Sequence, residues 1–364
     1  MPSRSVDDVT SFRRVAVIAP GLDILGGQGI QAAALVEALR GEGFEIDFIP
    51  MNPTFPGGLR WLRKLPYLRT LLNQVLYRWS LKRIARVDIV HLFSASYWSF
   101  LLAQVPAIKA SRQYGKPVIL NYHSGEADDH LRNWGKRVHP WLAMVNRIVV
   151  PSVYLKQVFA NYGYVTQVIP NIIRLDQFNY RLRSPLQPRL LSVRNLESIY
   201  RIENTLAAFA LIKAKLPDAT LIIAGYGSLE ASLRAYATEK GLTDVHFIGR
   251  VEPADIAAVY DNADIFINSS VVDNQPVSIL EAFAAGLPVI STPTGDIAYM
   301  IKDQENGMLV PADEPERIAE AVFWLLKHDH EANTLATQAR TDADKYTWRQ
   351  VRKDWMDLYS GAPT

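Results

Sequence analysis

Two carboxylates flank a helix start between residues 273 and 293. The chain there reads DNQPVSILEAFAAGLPVISTP, which sets Asp273 and Glu281 eight positions apart and puts Pro276 in the first turn of an apolar helix. The free backbone N–H groups of such a helix start favour an anion such as a phosphate. Because the helix is apolar nearly all round, it must be buried, and an ionised Glu281 inside it needs a hydrogen-bonding partner. A ribose diol would serve, and so would a structural arginine or backbone donor.

A glycine-rich turn follows the first candidate strand. Residues 27–32, Gly-Gln-Gly-Ile-Gln-Ala, fit the loose dinucleotide pattern G-x-G-x-x-A. In a dinucleotide site the first glycine follows the strand almost at once, whereas several residues separate Ala19 from Gly26 here. We therefore expect a longer flap whose glycines let a phosphate or sugar approach the backbone. A plain helix-entry turn is the alternative.

Five further residues could take part in chemistry at or near strand ends. His123 ends a strand in the string Tyr-His-Ser-Gly-Glu, where it could bind a ligand, act as an acid or base, or be structural. The acids that follow it, Asp128 and Asp129, could belong to an acceptor site or cap a helix. Arg194 could neutralise a leaving diphosphate, as could Arg201.

Short β-branched runs alternate with longer helical patterns, and this alternation occurs twice along the chain. The candidate strands are Val15–Ala19, Glu45–Ile49, Ile89–Phe93, Val118–Tyr122, Arg147–Val150, Gln167–Ile169, Arg189–Val193, Ala219–Ala224, Val245–Ile248, Asp264–Asn268 and Pro288–Ser291. Their near-continuous apolarity predicts parallel strands covered by helices on both faces. The predicted fold class is α/β, with two Rossmann-like, doubly wound parallel-sheet domains.

The same pattern gives the domain boundaries. We predict an N-terminal domain at residues 1–172, a linker at 173–188, a C-terminal domain at 189–345 and a packed C-terminal helix at 346–364. In open parallel sheets, ligands bind beyond the carboxyl ends of the strands, where the polar and glycine-rich pieces of this chain all fall. Two such rims facing each other would make one deep cleft.

Composition excludes several classes of protein. A chain of 364 residues predicts about two domains, and a net charge of +2 (39 Lys and Arg against 37 Asp and Glu) argues against nucleic-acid binding. Cysteine is absent, and the seven histidines show no zinc pattern, so we expect no metal site. No run is apolar enough to span a bilayer, and the first 14 residues lack the apolar core of a secretion signal. We expect a cytoplasmic protein, soluble or peripheral.

One segment is strongly basic. From Pro56 to Val87 there is no Asp or Glu, and basic residues alternate with leucines and aromatic residues. The candidate membrane-surface residues are Arg60, Arg63, Lys64, Arg78, Lys82 and Arg83. Against an anionic leaflet each such cation contributes on the order of 1 kcal/mol, so the segment could hold the protein at a membrane surface. A solvated helix face with its apolar side on the core is the alternative.

Taken together, these segments resemble the retaining glycosyltransferases of family 4, which have the GT-B architecture. The resemblance covers most of the chain and is more specific in its second half. It is carried by the Gly26-Gly27 flap, the Tyr122-His123-Ser124 strand end, and the strings PSVYLKQVF, VIPNIIRLDQF, IIAGYGSLEASL, VHFIGRV, ADIFINSS, ILEAFAAGLPVISTPTG and NGMLVP. It implies an acceptor domain, a nucleotide-sugar domain and a cleft between them. It also implies sugar transfer from a nucleotide-diphosphate donor, with retention of configuration and without a bound metal or other cofactor.

The resemblance further implies roles for individual residues. Catalytic roles fall to Glu281 on the donor ribose, to Asp273 and His123 on the transferred sugar, and to Arg194 on the diphosphate. The C-terminal helix would cross back to the N-terminal domain. The implied substrate-binding residues are Gly26, Gly27, Arg201, Gly225, Gly249, Arg250, Val251, Asn274, Gln275, Pro276, Val277 and Ser278. Among these, Val277 and Ser278 would donate backbone N–H groups to the diphosphate, and Gly249–Val251 would form the base-binding loop.

Two positions depart from the family pattern. Asp273 stands where a glutamate is usual, and Tyr200 stands about where a lysine is usual, with Arg201 next to it. The predicted function is a retaining hexosyltransferase acting on a lipid-linked or surface-glycan acceptor at the cytoplasmic face of the membrane. The alternatives are a nucleotide-dependent oxidoreductase or epimerase that uses the Gly27 turn, and a non-catalytic module that binds a nucleotide sugar or a membrane.

Overall fold

The structure is a computed structural model that describes residues 14–21, 26–55, 57–58, 61 and 65–360. The chain forms two compact units. One comprises Met1–Pro170 together with Val351–Thr364, and the other comprises Asn171–Gln350. Each unit contains a six-stranded sheet in which every described pairing is parallel.

The sheet of the first unit has the strand order β2-β1-β3-β4-β5-β6. Its strands are β1 (Arg14–Ala19), β2 (Glu45–Pro50), β3 (Ile89–Ser94), β4 (Val118–Tyr122), β5 (Arg147–Val150) and β6 (Gln167–Val168). The helices between them are α1 (Gly27–Gly41), α2 (Pro66–Ser80), α3 (Tyr97–Ser99), α4 (Val105–Gln113), α5 (Ala127–Asn133), α6 (Gly135–Leu142) and α7 (Val153–Asn161). A 3₁₀ segment, Leu81–Arg86, follows α2, and a π-helical turn, Phe100–Gln104, joins α3 to α4.

The sheet of the second unit has the strand order β12-β11-β10-β7-β8-β9. Its strands are β7 (Arg189–Val193), β8 (Thr220–Ala224), β9 (Val245–Gly249), β10 (Ile265–Asn268), β11 (Val289–Ser291) and β12 (Met308–Leu309). Its helices are α8 (Ile202–Lys215), α9 (Glu230–Glu239), α10 (Ile256–Asp261), α11 (Val277–Ala285), α12 (Ile297–Met300), α13 (Pro315–Lys327) and α14 (Asp329–Ala343). The last helix of the chain is α15 (Trp348–Ser360).

The central strands are buried on both faces. Every residue of β3, β4 and β10 is buried, as expected for parallel strands with helices packed on each side. In the second unit, one apolar cluster includes Phe209 of α8 and Val322 of α13, and a separate one includes Phe283 of α11 and Phe266 of β10. The prediction of two doubly wound parallel sheets from apolar strand runs is confirmed.

The strand order determines where each sheet can bind a ligand. In the first sheet the winding reverses between β1 and β3, and in the second it reverses between β7 and β10. Loops that leave adjacent strands in opposite directions open a crevice at the carboxyl edge, so these two switch points are the preferred binding positions.

The structure contains two local features that the sequence did not indicate. The short edge strand β12 was not predicted, because two residues carry too little periodicity to indicate a strand. Helix α9 begins at Glu230, two residues after Ser228. The Ser228 amide instead donates to Glu197 at 2.9 Å, and its hydroxyl bonds to the same carboxylate, so Ser228 anchors a turn. By contrast, Ser152 caps α7, since its hydroxyl accepts from the Leu155 amide at 3.0 Å.

The segment predicted as a linker packs within the second unit. Arg183 there is 2% exposed, and its guanidinium donates to the backbone carbonyls of Ala263 at 2.9 Å and Ala285 at 2.6 Å. The end of α15 belongs to the first unit. Tyr359 is buried, and its hydroxyl lies 2.7 Å from His91 Nδ1 on β3.

Candidate active site

The switch point of the second sheet brings a cation, an amide and a carboxylate together. Arg194 directly follows β7, Asn268 ends β10, and Asp273 lies on the loop after β10. The Arg194 guanidinium donates from Nε to Asn268 Oδ1 at 2.9 Å and from Nη2 to the Asp273 carboxylate. The side chains of Arg194 and Asp273 are each 10% exposed. They meet because β7 and β10 are neighbours in the sheet, and burial strengthens such an ion pair relative to a surface one.

Two close backbone approaches hold this pair in place. A Cβ on Gly225, whose φ is +146°, would lie 1.8 Å from the carbonyl oxygen of Arg194. A Cβ on Gly295, whose φ is +56°, would lie 2.0 Å from the carbonyl oxygen of Asp273. Any other residue at either position would displace one partner of the ion pair. The predicted substrate-binding residue Gly225 therefore positions Arg194.

The loop that carries Asp273 leads into the N-terminus of α11. Pro276 precedes the helix with a φ of −70°, and α11 begins at Val277. The first amides of a helix have no intrahelical acceptor, so those of Val277 and Ser278 are oriented to bind an anion. The Ser278 hydroxyl is buried and has no hydrogen-bond partner among the residues that the structure describes. This helix start thus carries both backbone donors and an unpaired hydroxyl.

Gln275 and Asn274 fix the loop to the second unit. The amide of Asn171 donates to Gln275 Oε1 at 2.6 Å, and the Asn171 side chain donates to the Gln275 carbonyl at 2.8 Å. The Asn274 carbonyl accepts from the Asp296 amide at 3.1 Å. The side chain of Gln275 is thus engaged in holding the loop.

Glu281 lies one turn into α11 and is 8% exposed. Its Oε2 accepts a hydrogen bond from the Tyr260 hydroxyl at 2.8 Å, and that hydroxyl also lies 3.0 Å from the Ser278 carbonyl. Burial raises the pKa of Glu281 to about 7, and it raises the pKa of Tyr260 well above its usual value. Glu281 thus has Tyr260 as an internal partner, as its burial required. Keeping its carboxylate ionised in this buried position costs free energy of folding.

Tyr200 and Arg201 do not offer a second cation to this pair. The Arg194 guanidinium lies over the Tyr200 ring, 5.2 Å from its centroid. Arg201 has a left-handed backbone with φ of 47°, and its guanidinium lies 3.2 Å from Asp313 and 3.5 Å from Glu203. In the structure, two carboxylates therefore match the charge of Arg201, while Tyr200 packs on Arg194.

The predicted base-binding loop follows β9. Gly249 has a φ of +69°, and its carbonyl accepts from the Gly225 amide at 2.8 Å, which ties the ends of β8 and β9 together. Arg250 lies 3.1 Å from Glu252, and Val251 is partly buried. The neighbouring Tyr226 side chain is 38% exposed. A planar base could lie against this turn through apolar contact and backbone hydrogen bonds.

The switch point of the first sheet gathers the predicted residues of that unit. Gly26 precedes α1, which begins at Gly27, and a Cβ at either glycine would meet no atom of the described residues within 4 Å. The Gln28 side chain donates to the Ser94 carbonyl at 2.7 Å, and the His123 amide donates to the same carbonyl at 3.0 Å. The start of α1 and the ends of β3 and β4 are thus joined at one carbonyl.

His123 is present in its neutral form. Its ring stacks on Phe93 with 5.2 Å between centroids, and burial lowers its pKa to about 3. A neutral imidazole presents one N–H donor and one acceptor nitrogen, which suits a contact to a sugar hydroxyl better than a charge–charge contact.

Within the basic segment, residues 66–80 form helix α2, which has an exposed apolar stripe. Tyr67, Leu71, Val75 and Trp79 recur every four residues and are 91%, 62%, 57% and 69% exposed. Arg78 and Lys82 are exposed beside this stripe. Arg83 is different, because its Nε donates to Asp47 at 3.0 Å, and that carboxylate balances its charge. Three other predicted membrane-surface residues, Arg60, Arg63 and Lys64, lie outside the described residues.

The described residues offer neither a metal site nor a membrane-spanning helix. No three His, Asp or Glu side chains among them are grouped so that they could hold a metal ion. Within the same residues, no helix combines the length and the apolarity needed to cross a bilayer.

Two protein-family profiles match the chain. The sequence profile for "Glycosyltransferase Family 4" matches residues 25–177, and that for "Glycosyl transferases group 1" matches residues 177–342, so the two meet at residue 177 and together cover every strand except β1. The chain is a family 4 glycosyltransferase. The phosphatidyl-myo-inositol mannosyltransferase of Mycobacterium leprae is 23% identical to it, over 96% of this chain and 97% of that protein.

Solved structures show that this glycosyltransferase has the GT-B fold. Sucrose-phosphate synthase from Thermosynechococcus elongatus superposes with a TM-score of 0.77 at 20% identity, over 95% of this chain and 98% of that one. Anabaena HepE in complex with UDP and glucose superposes with a TM-score of 0.72 at 16% identity, over 95% and 99% of the two chains.

Several residues of the glycosyltransferase site carried no local sequence signal. Tyr260 lies on α10, and only the need of a buried tyrosine hydroxyl for a partner indicates that it matters. Asn268 ends an apolar strand, where its polarity was visible but its contact with Arg194 was not. Gln28 belongs to the glycine-rich turn, yet its bond to Ser94 depends on the adjacency of β1 and β3.

Proposed function

We propose that this glycosyltransferase is a metal-independent, retaining hexosyltransferase. It takes the hexose from a nucleoside-diphosphate sugar and transfers it to a lipid-linked or surface-glycan acceptor at the cytoplasmic face of the membrane. The observation that carries the proposal is the Arg194–Asn268–Asp273 cluster at the switch point of the second sheet, beside the N-terminus of α11. This cluster combines donors for a diphosphate with an acceptor for sugar hydroxyls.

The donor would be held almost entirely by the second unit. Its diphosphate would bind Arg194 and the amides of Val277 and Ser278, where a guanidinium and a helix N-terminus both favour negative charge. The buried hydroxyl of Ser278 would gain the partner that it lacks. The Glu281 carboxylate would accept from the ribose hydroxyls, and the turn at Gly249 would receive the base.

Donor binding would also change the state of Asp273. In the structure its carboxylate is paired with Arg194. A diphosphate carries more negative charge than one carboxylate and therefore competes for the guanidinium. Asp273 is then released to accept hydrogen bonds from hydroxyls of the hexose.

Retention of configuration follows if the acceptor approaches the face that the phosphate leaves. The bond between the anomeric carbon and the phosphate oxygen breaks, and the bond to the acceptor oxygen forms on the same side. The departing phosphate oxygen takes the acceptor proton, so no protein base is required. Arg194 and the α11 amides stabilise the charge that develops on the phosphate, and they would do so without a metal ion.

Location at a membrane surface is supported by α2. Its exposed stripe from Tyr67 to Trp79 offers apolar side chains, and Arg78 and Lys82 beside it offer positive charge. This combination suits a helix lying in the interface of an anionic membrane. The name of the Mycobacterium leprae relative denotes transfer to a phosphatidylinositol lipid, and a lipid-linked acceptor would be reached from the same surface.

Thermal unfolding with a panel of nucleoside diphosphates and their sugars tests the donor part, because stabilisation grows with ligand concentration over its dissociation constant. We expect one base to stabilise the protein, with and without EDTA. The preferred donor is then incubated with a bacterial membrane extract, and the anomeric configuration of the product is read by NMR. Inversion, dependence on added metal, or binding without any turnover would contradict the proposal.

A further inference from the structure

Besides the exposed stripe of α2, a cluster of aromatic side chains lies at the carboxyl edge of the first sheet. Trp98 is 61% exposed, and its ring meets the edge of Trp134 with 5.4 Å between centroids and 87° between planes. Tyr97 also contacts Trp134 edge-on, at 5.5 Å and 69°. We call these three residues the aromatic platform.

Two residues of the aromatic platform, Tyr97 and Trp134, are held by neighbouring side chains. The Tyr97 hydroxyl donates to Asp129 Oδ2 at 2.6 Å, and Tyr97 adopts a φ of +56°, which non-glycine residues rarely adopt. The Arg137 guanidinium lies 5.0 Å from the centroid of the Trp134 ring. Tyr97 and Trp134 are thus fixed by named partners, whereas the ring of Trp98 remains largely in solvent.

The aromatic platform adjoins the predicted sugar contact of this unit. Trp98 lies four residues beyond Ser94, whose carbonyl accepts from the His123 amide at 3.0 Å. Between them, the Ser96 hydroxyl is 2.8 Å from the hydroxyl of Tyr122, the residue before His123. The same tyrosine hydroxyl is 2.8 Å from His130 Nδ1 on α5, the helix that also carries Asp129. The loops after β3 and β4 therefore form one surface.

Charge distinguishes this surface from the stripe on α2. The charged residues of α2 are both basic, Arg69 and Arg78, whereas the aromatic platform lies beside acids at the start of α5. Asp128 is paired with Arg132, and Asp129 is held by Tyr97 and Asn133. Glu126, at the start of α5, is partly exposed. Carboxylates beside aromatic rings disfavour an anionic lipid surface and suit a neutral polyhydroxylated ligand.

A pyranose ring combines the two features that such a surface recognises. One face of the ring carries C–H groups, which pack on the electron-rich face of an indole, and its hydroxyls donate hydrogen bonds to carboxylates. We propose that Trp98, backed by Trp134, stacks on a pyranose ring of the acceptor, and that the Glu126 carboxylate accepts from one of its hydroxyls. This inference rests on the proposed function and deepens it, because it names a saccharide as the part of the acceptor that the protein recognises.

The test uses methyl glycosides of the common hexoses as probes, with saturation-transfer NMR to follow their binding to the full chain. Trp98→Ala should weaken binding of the preferred glycoside at least five-fold, and Trp98→Phe should restore most of it. Trp79→Ala removes a tryptophan of similar exposure from α2, 69% against 61% for Trp98. It is the matched control and should leave glycoside binding unchanged. Glu126→Gln should weaken binding with little effect on the thermal stabilisation by nucleoside diphosphate.

The possible results separate this inference from the proposed function. If Trp98→Ala binds every glycoside as well as the wild type does, the stacking role is wrong even where sugar transfer is observed. If Trp98→Ala instead reduces sedimentation with anionic phosphatidylglycerol vesicles, as Trp79→Ala is expected to, the aromatic platform belongs to a membrane surface and the inference is also overturned. If glycosides bind through Trp98 but no donor is ever turned over, the proposed function fails and the saccharide site stands.

Discussion

Replacement of Glu281 by glutamine should make the ligand-free protein more stable and its nucleotide binding weaker. Glu281 is 8% exposed, and its one described donor is the Tyr260 hydroxyl at 2.8 Å. Burial raises its pKa from 4.5 to about 7. Because the folded-state pKa lies above the unfolded-state value, the stability that this carboxyl contributes is fully present below about pH 4.5 and is lost as the pH rises through about 7.

The size of the effect follows from the two pKa values. The difference between 4.5 and about 7 corresponds to a cost of about 3 kcal/mol for holding the carboxylate ionised in the folded protein above pH 7. An amide of the same shape avoids this cost, and its carbonyl can still accept from Tyr260. At pH 8 the Glu281→Gln variant should therefore melt roughly 6–12 °C above the wild type, and at pH 5 the difference should fall to about a quarter of that.

Function should move in the opposite direction. An ionised carboxylate accepts stronger hydrogen bonds from ribose hydroxyls than an amide does, so we expect affinity for the preferred nucleoside diphosphate to fall about ten-fold. Scanning calorimetry at pH 5 and pH 8 measures the stability, and isothermal titration measures the affinity. Glu239→Gln, at a 73% exposed side chain of the same unit, is the control. The reasoning is refuted if Glu281→Gln is no more stable than the wild type at pH 8, or equally shifted at both pH values.

Three further predictions concern the other parts of the site. Asp273→Asn should reduce sugar transfer at least ten-fold while leaving nucleoside-diphosphate affinity equal or higher, because Arg194 is no longer paired; a parallel loss of affinity in calorimetric titration would count against a sugar-binding role. Gly225→Ala should lower the melting temperature and weaken diphosphate binding, because its Cβ would lie 1.8 Å from the Arg194 carbonyl oxygen. The control Gly41→Ala should be neutral in both measurements, because its Cβ would meet no atom of the described residues within 4 Å. Removing the apolar stripe of α2 should abolish sedimentation with anionic vesicles, because burying each such side chain in the membrane contributes roughly 1–2 kcal/mol. The control variant Val165→Ser, at a 94% exposed valine, should sediment as the wild type does. The stripe residues to replace together with serine are Leu71, Val75 and Trp79.

Strand prediction succeeded because it depends on local patterns. Runs such as Val118–Tyr122 and Arg147–Val150 are mostly apolar and coincide with β4 and β5. The two-residue strand β12 exists only because β11 offers it an edge, so its own sequence could not indicate it. The capping of α7 by Ser152 was local and therefore predictable, whereas the bond of Ser228 to Glu197 spans 31 residues and was not.

Exposure on α2 was also beyond the reach of sequence. The alternation of basic and apolar residues was visible, but it fits both a membrane helix and a helix packed on the core. The structure decides which apolar side chains stay exposed, and it removes Arg83 from the free cations by pairing it with Asp47, 36 positions away.

The sequence by itself determined that this protein has two parallel α/β sheets, and it determined which residues stand at the carboxyl ends of their strands, because both follow from hydrophobic periodicity and turn residues within short windows. Only the tertiary structure decided which of those residues meet. Arg194 pairs with Asp273 because the chain returns to lay β10 beside β7, and Glu281 finds Tyr260 because α10 packs against α11. Such contacts depend on strand order and helix packing, which are fixed by burial of the whole core rather than by any local run of residues.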